Sequence, residues 1–414
     1  MTIDGTSGEG QKDASARHHA LVTRLKEGGY LSDPRVEAAF RAVPRHLFLP
    51  DVPLEVVYAD EAIPTKRRDG LVISSSSQPA VMAIMLDQLA LQPGHRVLEI
   101  GAGTGYNAAL MAHIVGNTGQ VVTVDIDDDI VAAAQAHLAA AGFPAVHVVC
   151  GDGVLGSADA APYDRIILTV GARDIAPAWI AQVRPDGRLL VPLAIQGSIQ
   201  KLVAFERVDD HLASVSVRDG GFMPLRGSDA GPRIEVALGP DTGLVLGLGQ
   251  PRAVEADTVY QALTGPHTDT PVPVRAAANA LWTGFNLWLA THESAMCTLA
   301  AVGDVMARDL VPAVFGSGAL YRSTLGLLAD TTLCVLARPA DAGSSVDALS
   351  VRRFGPHADL TQRLIGHLEA WEAVGRPTTT GLRIRAYPQD TPYAPSSAEV
   401  VVAKHHSQLI LDWP

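Results

Sequence analysis

Val97-Leu98-Glu99-Ile100-Gly101-Ala102-Gly103-Thr104-Gly105-Tyr106-Asn107 is the stretch on which the fold turns. A short β-rich run, residues 96–100, enters glycines, and residues 107–115 then carry helical spacing. Glycines at such a turn let a ligand approach the backbone, and the helix N-terminus behind them offers unpaired N–H groups. A dinucleotide site asks for G-x-G-x-x-G, the last glycine serving helix packing. Here the third glycine is Gly105 and position 106 is Tyr, so the pattern is G-x-G-x-G. That departs from the pyrophosphate fingerprint and suits a nucleoside carrying an amino-acid group. It disfavours a nicotinamide oxidoreductase.

Working outward, strand and helix patterns alternate. Strands are expected at 120–124, 146–149, 165–170 and 188–193, with helices at 129–141 and 177–183 between them. Such alternation predicts a parallel, doubly wound sheet. The second strand ends in Asp125, where a carboxylate can accept from both ribose hydroxyls. The third runs into Gly151-Asp152-Gly153, and Asp152 could accept from an adenine amino group. Taken singly, these glycines and aspartates are equally well turn formers. Taken in order, they describe an S-adenosyl-L-methionine site at the carboxyl edge of the sheet. Runs at 201–207 and 211–217 leave no room for a helix between them and are expected to pair antiparallel at an edge.

Upstream, helices are expected at 16–29, 34–43 and 78–91, an extended run at 45–50 and irregular chain at 52–77. Residues 1–15 read as a flexible tail without the apolar core of a signal peptide. Downstream, Gly227-Ser228-Asp229-Ala230-Gly231-Pro232 is the best boundary. The expected domains are 16–228 and 233–414, the latter α+β, with its clearest helix at 357–374. The fold class is α/β, a Rossmann-like S-adenosylmethionine-dependent methyltransferase domain followed by a smaller α+β C-terminal domain.

The chain has 414 residues, 47% hydrophobic and 18% charged, which fits two globular domains. Its 32 Lys and Arg against 44 Asp and Glu give a formal net charge of -12, which argues against a nucleic-acid partner. Cys150, Cys297 and Cys334 are odd in number and widely spaced, so reduced, buried thiols in a cytoplasmic protein are expected, with no disulfide framework or metal site. No apolar run approaches the ~18–20 residues that span a bilayer, so no membrane partner is expected.

From residue 16 to Gly227 the sequence resembles the protein-L-isoaspartate O-methyltransferase family. The matching pieces are 43–48, Ser77-Gln78-Pro79, 97–107, Gly151-Asp152-Gly153, 161–167, 187–193 and Gly221-Phe222-Met223-Pro224-Leu225. The glycine motif is common to many methyltransferases; the Ser-Gln-Pro and Phe-Met-Pro-Leu segments are more particular to this one. The resemblance implies cofactor contacts at Gly101, Gly103 and Gly105, with Glu99, Thr104 and Asn107 in the same motif. It implies ribose binding by Asp125 beside Ile126, and adenine recognition by Asp152 beside Gly153. Thr169 and Val170 would line the methyl-transfer cleft. The functional serine maps to Ser77, and the run 74–77 leaves Ser76 as the neighbouring register. Gln78, Met223, Pro224 and Leu225 complete the implied substrate wall.

A carboxylate with a pKa near ~4 is already ionised at neutral pH, so methyl transfer to it requires no general base. Holding oxygen and methyl in line at roughly 3–3.5 Å, away from water, is the catalytic task. A serine hydroxyl can orient the carboxylate; Ser77 also suits a helix cap. The chain continues well past Gly227, which is similar to members that work beside lanthipeptide-type ribosomal-peptide clusters. There the expected substrate is an aspartate of a modified precursor, its ester passing through a succinimide to isoaspartate, with S-adenosyl-L-homocysteine as co-product. Repair of isoaspartyl residues in damaged proteins is the alternative, and a non-catalytic S-adenosylmethionine-binding protein a third. Lys66-Arg67-Arg68, His18-His19 and His405-His406 read as solvated surface, the last pair because neighbours on a strand face opposite ways. Trp282, Phe285, Trp288 and Leu289 read as a core stripe.

Overall fold

The computed structural model describes residues 6–413 except 69–70, 233, 241–242, 318–320 and 340–346. Residues 1–5 of the expected tail and the expected start of the second domain at 233 lie outside the described residues. From Thr6 onward the chain is helical, Thr6–Glu27, ten residues ahead of the expected start. Asp13 and Arg17, one turn apart, pair at 2.9 Å, and Ala14 is buried, so the apolar face continues into the segment read as a tail.

A hairpin of β1 (Ile63–Arg68) and β2 (Leu71–Ser76) replaces the irregular stretch. The Asp69-Gly70 dipeptide between the two runs is the sequence signal for it. The expected extended run at 45–50 is instead a turn of 3₁₀ helix, Arg45–Phe48.

The central sheet follows the predicted alternation. Strands β3 (Arg96–Ile100), β4 (Gln120–Asp125), β5 (His147–Cys150), β6 (Tyr163–Leu168) and β7 (Val183–Gln196) are parallel, in the order β7-β6-β3-β4-β5. Val97, Leu98 and Ile100 are buried, as are Val121, Val122 and Val124, because helices cover both faces. The helices that position the site are Pro79–Leu89, Tyr106–Val115 and Asp128–Ala140. Beyond β7, strands β8 (Ile199–Val208) and β9 (His211–Asp219) pair antiparallel, as expected.

They do not form the edge. The chain makes a second, antiparallel sheet from β10 (Glu235–Ala237), β11 (Leu244–Leu248), β12 (His267–Pro271), β13 (Met296–Val302), β14 (Phe315–Ser317), β15 (Tyr321–Ala329), β16 (Thr332–Ala337) and β17 (Ser350–Phe354). It then returns: β18 (Arg383–Pro388) pairs with β9, and β20 (Ser407–Asp412) and β19 (Val400–Ala403) continue outward from it. Sequence order therefore does not separate the two halves as the 233–414 boundary expects. One apolar core runs from Leu98 and Val203 through Phe285 and Trp371 to Ile384 and Leu411. The hydrophobic alternation of β18–β20 has the same period whichever sheet receives it, so the return is invisible locally.

Of the stripe near 282–289, Phe285 and Leu289 are core, whereas Trp282 is exposed and meets Phe315 edge-on. His18 is not surface: its Nε2 lies 2.6 Å from the Phe40 carbonyl, and burial pulls its pKa down. Cys297 and Cys334 are buried as expected, but Cys150, at the end of β5, is exposed. Among the described residues no helix is long and apolar enough to cross a membrane.

Candidate active site

A cavity of about 870 Å³ lies over the carboxyl ends of β3, β4 and β6, within the usual range for a small-molecule site. Its wall takes Ser76, Ser77 and Gln78 from the end of the hairpin, and Glu99, Gly101, Gly103, Thr104 and Asn107 from the glycine turn. Asp125 and Ile126 come from the end of β4, Gly153 from beyond β5, Thr169 and Val170 from the end of β6, and Met223, Pro224 and Leu225 from the late segment. Sixteen of the expected residues thus share one wall; Gly105 and Asp152 do not belong to it.

The glycine turn is held by contacts the sequence does not spell out. Gly101 has φ +104°, and a Cβ there would come within 2.5 Å of Thr169 Oγ1, which donates to the Gly101 carbonyl at 2.7 Å. Gly103 donates its N–H to Asp125 Oδ2 at 3.1 Å, so the strand-end carboxylate fixes the loop as well as facing the cavity. Gly105 has φ +85° and backs onto the next helix: a Cβ would sit 3.1 Å from Leu138 Cγ. Gly105 thus stands off the wall and serves helix packing.

Asp152 is likewise placed elsewhere. Its carboxylate accepts from Val154 N–H at 3.0 Å and Ser228 N–H at 2.8 Å, and Gly227 passes against it. It ties the end of β5 to the segment leaving the sheet, and Gly153 alone reaches the wall.

Beneath the turn, Glu99 is fully buried and accepts from Asn107 Nδ2 at 2.8 Å and Thr123 Oγ1 at 2.6 Å. Burial pushes its pKa up to about 7. The pair aims Asn107, whose Oδ1 is buried without a hydrogen-bond partner. A buried orphan acceptor on a cavity wall is costly unless a ligand donor satisfies it. Together with Asp125 and the open glycine backbone, it fits a ligand that combines ribose hydroxyls with an ammonium group. S-adenosyl-L-methionine has both.

The serine run resolves into distinct environments. Ser74 Oγ bonds Thr65 Oγ1 at 3.1 Å. Ser76 is buried, and its Oγ accepts from Arg45 Nη2 at 3.2 Å. Arg45 is wholly buried; it also donates to the carbonyls of Val57, Glu61 and, at 2.9 Å, Ser77. Among the described residues no group hydrogen-bonds the Ser77 hydroxyl, which lies on the cavity wall. Nor does Ser77 cap the next helix: the cap position is Gln78, and Asp60 accepts from Ala80 N–H at 2.9 Å and Gln78 Nε2 at 3.1 Å. Sequence reasoning placed Arg45 in the matching segment 43–48 without a role and missed Asp60; both act across the fold.

The late segment is pinned from below. Gln200 Oε1 accepts from Phe222 N–H and its Nε2 donates to Phe222 O, both at 2.9 Å, while Gly171 exchanges backbone bonds with Met223 and Leu225. In the Lys66-Arg67-Arg68 cluster, Arg67 and Arg68 are exposed as expected, and the cluster also carries ion pairs. Lys66 reaches Asp129 at 2.5 Å and Asp127 at 3.4 Å, and Arg68 reaches Asp127 at 3.2 Å. Arg226, 2.7 Å from Asp127, is the main cause of that carboxyl's pKa falling to about 2. The hairpin is thereby latched to the loop after β4 and to the wall segment at 226.

Residues 16–229 match the model of a family described as Protein-L-isoaspartate(D-aspartate) O-methyltransferase. A protein-L-isoaspartate O-methyltransferase of Methanococcus aeolicus is 37% identical over 210 residues, 51% of this chain and 94% of its own length. One from Thermotoga maritima is 39% identical over 206 residues, 49% of this chain and 64% of its own length. A solved protein-L-isoaspartate O-methyltransferase structure aligns over 89% of this chain and 96% of its own, at 22% identity and a TM-score of 0.49.

Proposed function

The chain belongs to the protein-L-isoaspartate O-methyltransferase family, and from that premise we propose that it methylates a side-chain or isoaspartyl carboxylate of a peptide. The observation that carries this reading is the division of labour between Ser76 and Ser77. Ser76 is buried and its Oγ accepts from Arg45, whereas the Ser77 hydroxyl has no hydrogen-bond partner among the described residues and lines the cavity with Asn107, Asp125 and the glycine turn.

S-adenosyl-L-methionine, the family's methyl donor, supplies an electrophilic sulfonium methyl when bound. Asp125 accepts from its ribose hydroxyls, and Asn107 Oδ1 accepts from its ammonium. Ser77 donates to one carboxylate oxygen of the substrate and turns the other toward the cleft between Thr169 and Met223. No residue has to move a proton, because the acceptor is already an anion. The late segment and the hairpin would flank the reacting oxygen on the cavity wall, and shielding it from water there would favour transfer.

The substrate is proposed more narrowly. Ala230, Gly231, Pro232, Ile234 and Glu235 lie beyond the family match and line the cavity, so the extension contributes to its wall. The narrower proposal is an aspartate of a modified, lanthipeptide-type precursor, whose ester would close to a succinimide and open to isoaspartate. Repair of isoaspartyl proteins is supported equally by the relatives' names. Mass spectrometry of one simple isoaspartyl peptide and one cyclised precursor peptide, each incubated with the methyl donor, decides between them. Methylation of the cyclised aspartate with little on the simple peptide is the expected result; the reverse overturns the narrower reading.

A further inference from the structure

Among the described residues one set of metal-ligating side chains converges outside the active site: Asp229, His405 and His406. The strand argument against the histidine pair does not apply, because both residues occupy the bend between β19 and β20. Their rings lie 4.2 Å apart between centroids, with His405 Nδ1 3.2 Å from His406 Nε2. His406 Nε2 is 3.5 Å from Asp229 Oδ2, and the three ligand atoms lie within 4.8 Å of one another. With metal–ligand bonds of about 2.0–2.1 Å, the edge of a tetrahedral zinc site is about 3.3–3.4 Å. Two of the three edges here already match it.

We propose that Asp229, His405 and His406 bind one divalent ion of the zinc class, with a fourth position left to water. Two imidazole nitrogens and one carboxylate oxygen suit such a borderline ion better than magnesium or calcium.

The bend is held in place before any ion arrives. Asp174 accepts from His406 N–H at 2.5 Å and from the Ser407 hydroxyl. Lys404 turns its ammonium away, to the carbonyls of Ala194 at 2.6 Å and Ile195 at 2.8 Å. Asp229 arrives from the far side, where the family match ends. The ion therefore clips the C-terminal hairpin to the segment whose next residues, Ala230 to Pro232, line the active-site cavity. Its effect is to hold that wall in place.

The test is calorimetric titration of the chelator-treated full chain with Zn²⁺, together with the visible spectrum of the Co²⁺ form. One equivalent is expected, with tetrahedral cobalt bands. His405→Ala, His406→Ala and Asp229→Ala should each weaken binding at least tenfold and remove the bands. His147→Ala, at an exposed histidine on β5, should change neither. Absence of a one-equivalent site in the native chain, or three ligand variants that bind like it, overturns the proposal. Because the readout is binding, it is independent of methyl transfer.

Discussion

Replacing Ser77 and Ser76 in turn by alanine separates the two neighbouring registers of the functional serine. Ser77→Ala removes a hydroxyl with no hydrogen-bond partner among the described residues, and the Ser77 carbonyl keeps its 2.9 Å bond from Arg45. Folding stability should therefore stay within about 0.5 kcal/mol of the parent. A hydrogen bond to a charged acceptor contributes about 1.5–3 kcal/mol. Its loss lowers kcat/KM roughly 10- to 150-fold. Ser76→Ala should do the opposite. It removes one of several acceptors of a buried guanidinium, at 3.2 Å, and costs about 1 kcal/mol of stability with kcat/KM within about threefold. The assay is initial-rate methyl transfer at varied peptide, with urea unfolding and calorimetric binding of S-adenosyl-L-homocysteine in parallel. Cofactor affinity should be the same in both variants. A Ser76→Ala enzyme more impaired than Ser77→Ala, at equal cofactor affinity, would refute the assignment.

Asp125→Ala removes both the ribose acceptor and the anchor of Gly103 N–H, so cofactor affinity should fall at least tenfold by calorimetry. Unchanged affinity would move the ribose elsewhere. Arg45→Met leaves several buried carbonyls without their donor and should cost about 3 kcal/mol or more in urea unfolding; Arg45→Lys should not restore it, since an ammonium lacks the fork. Glu99 gives a pH signature. Its folded pKa of about 7 lies above the ordinary 4.5, so its contribution is complete below about pH 4.5 and is lost as pH rises to 7. At about 1.4 kcal/mol per unit, the loss is roughly 3 kcal/mol. Glu99→Gln should flatten that slope in cofactor-free protein, and an unaltered slope would show that Glu99 does not titrate there.

The parallel sheet and the glycine-turn side of the cavity were legible because they rest on local patterns, whereas Ser77, Thr169 and the wall at 223–225 were expected only from the family resemblance. Strand, glycine turn and helix follow one another within residues 96–115, and the strand-end acid Asp125 falls where the alternation puts it. What was not legible acts across the fold. Arg45 and Asp60 stabilise the serine loop and the helix behind it over separations of about twenty residues or more, which no periodicity encodes. Gly105 packs on Leu138 and Asp152 accepts from Ser228 N–H, contacts that no motif spells out. The return of β18–β20 to the first sheet, and the meeting of His405 and His406 on a bend, depend on tertiary pairing alone.

The central claim is that this cavity transfers a methyl group to a peptide carboxylate. It is tested most directly by incubating the full chain with S-adenosyl-L-methionine labelled in the methyl group and a mixture of the cyclised precursor peptide and an isoaspartyl peptide, beside the same peptides with every carboxyl group converted to an amide. The account predicts labelled peptide in the first mixture, with the label released as methanol by mild alkali, and none in the second. Equal labelling of both, or label that survives alkali, would contradict transfer to a carboxylate.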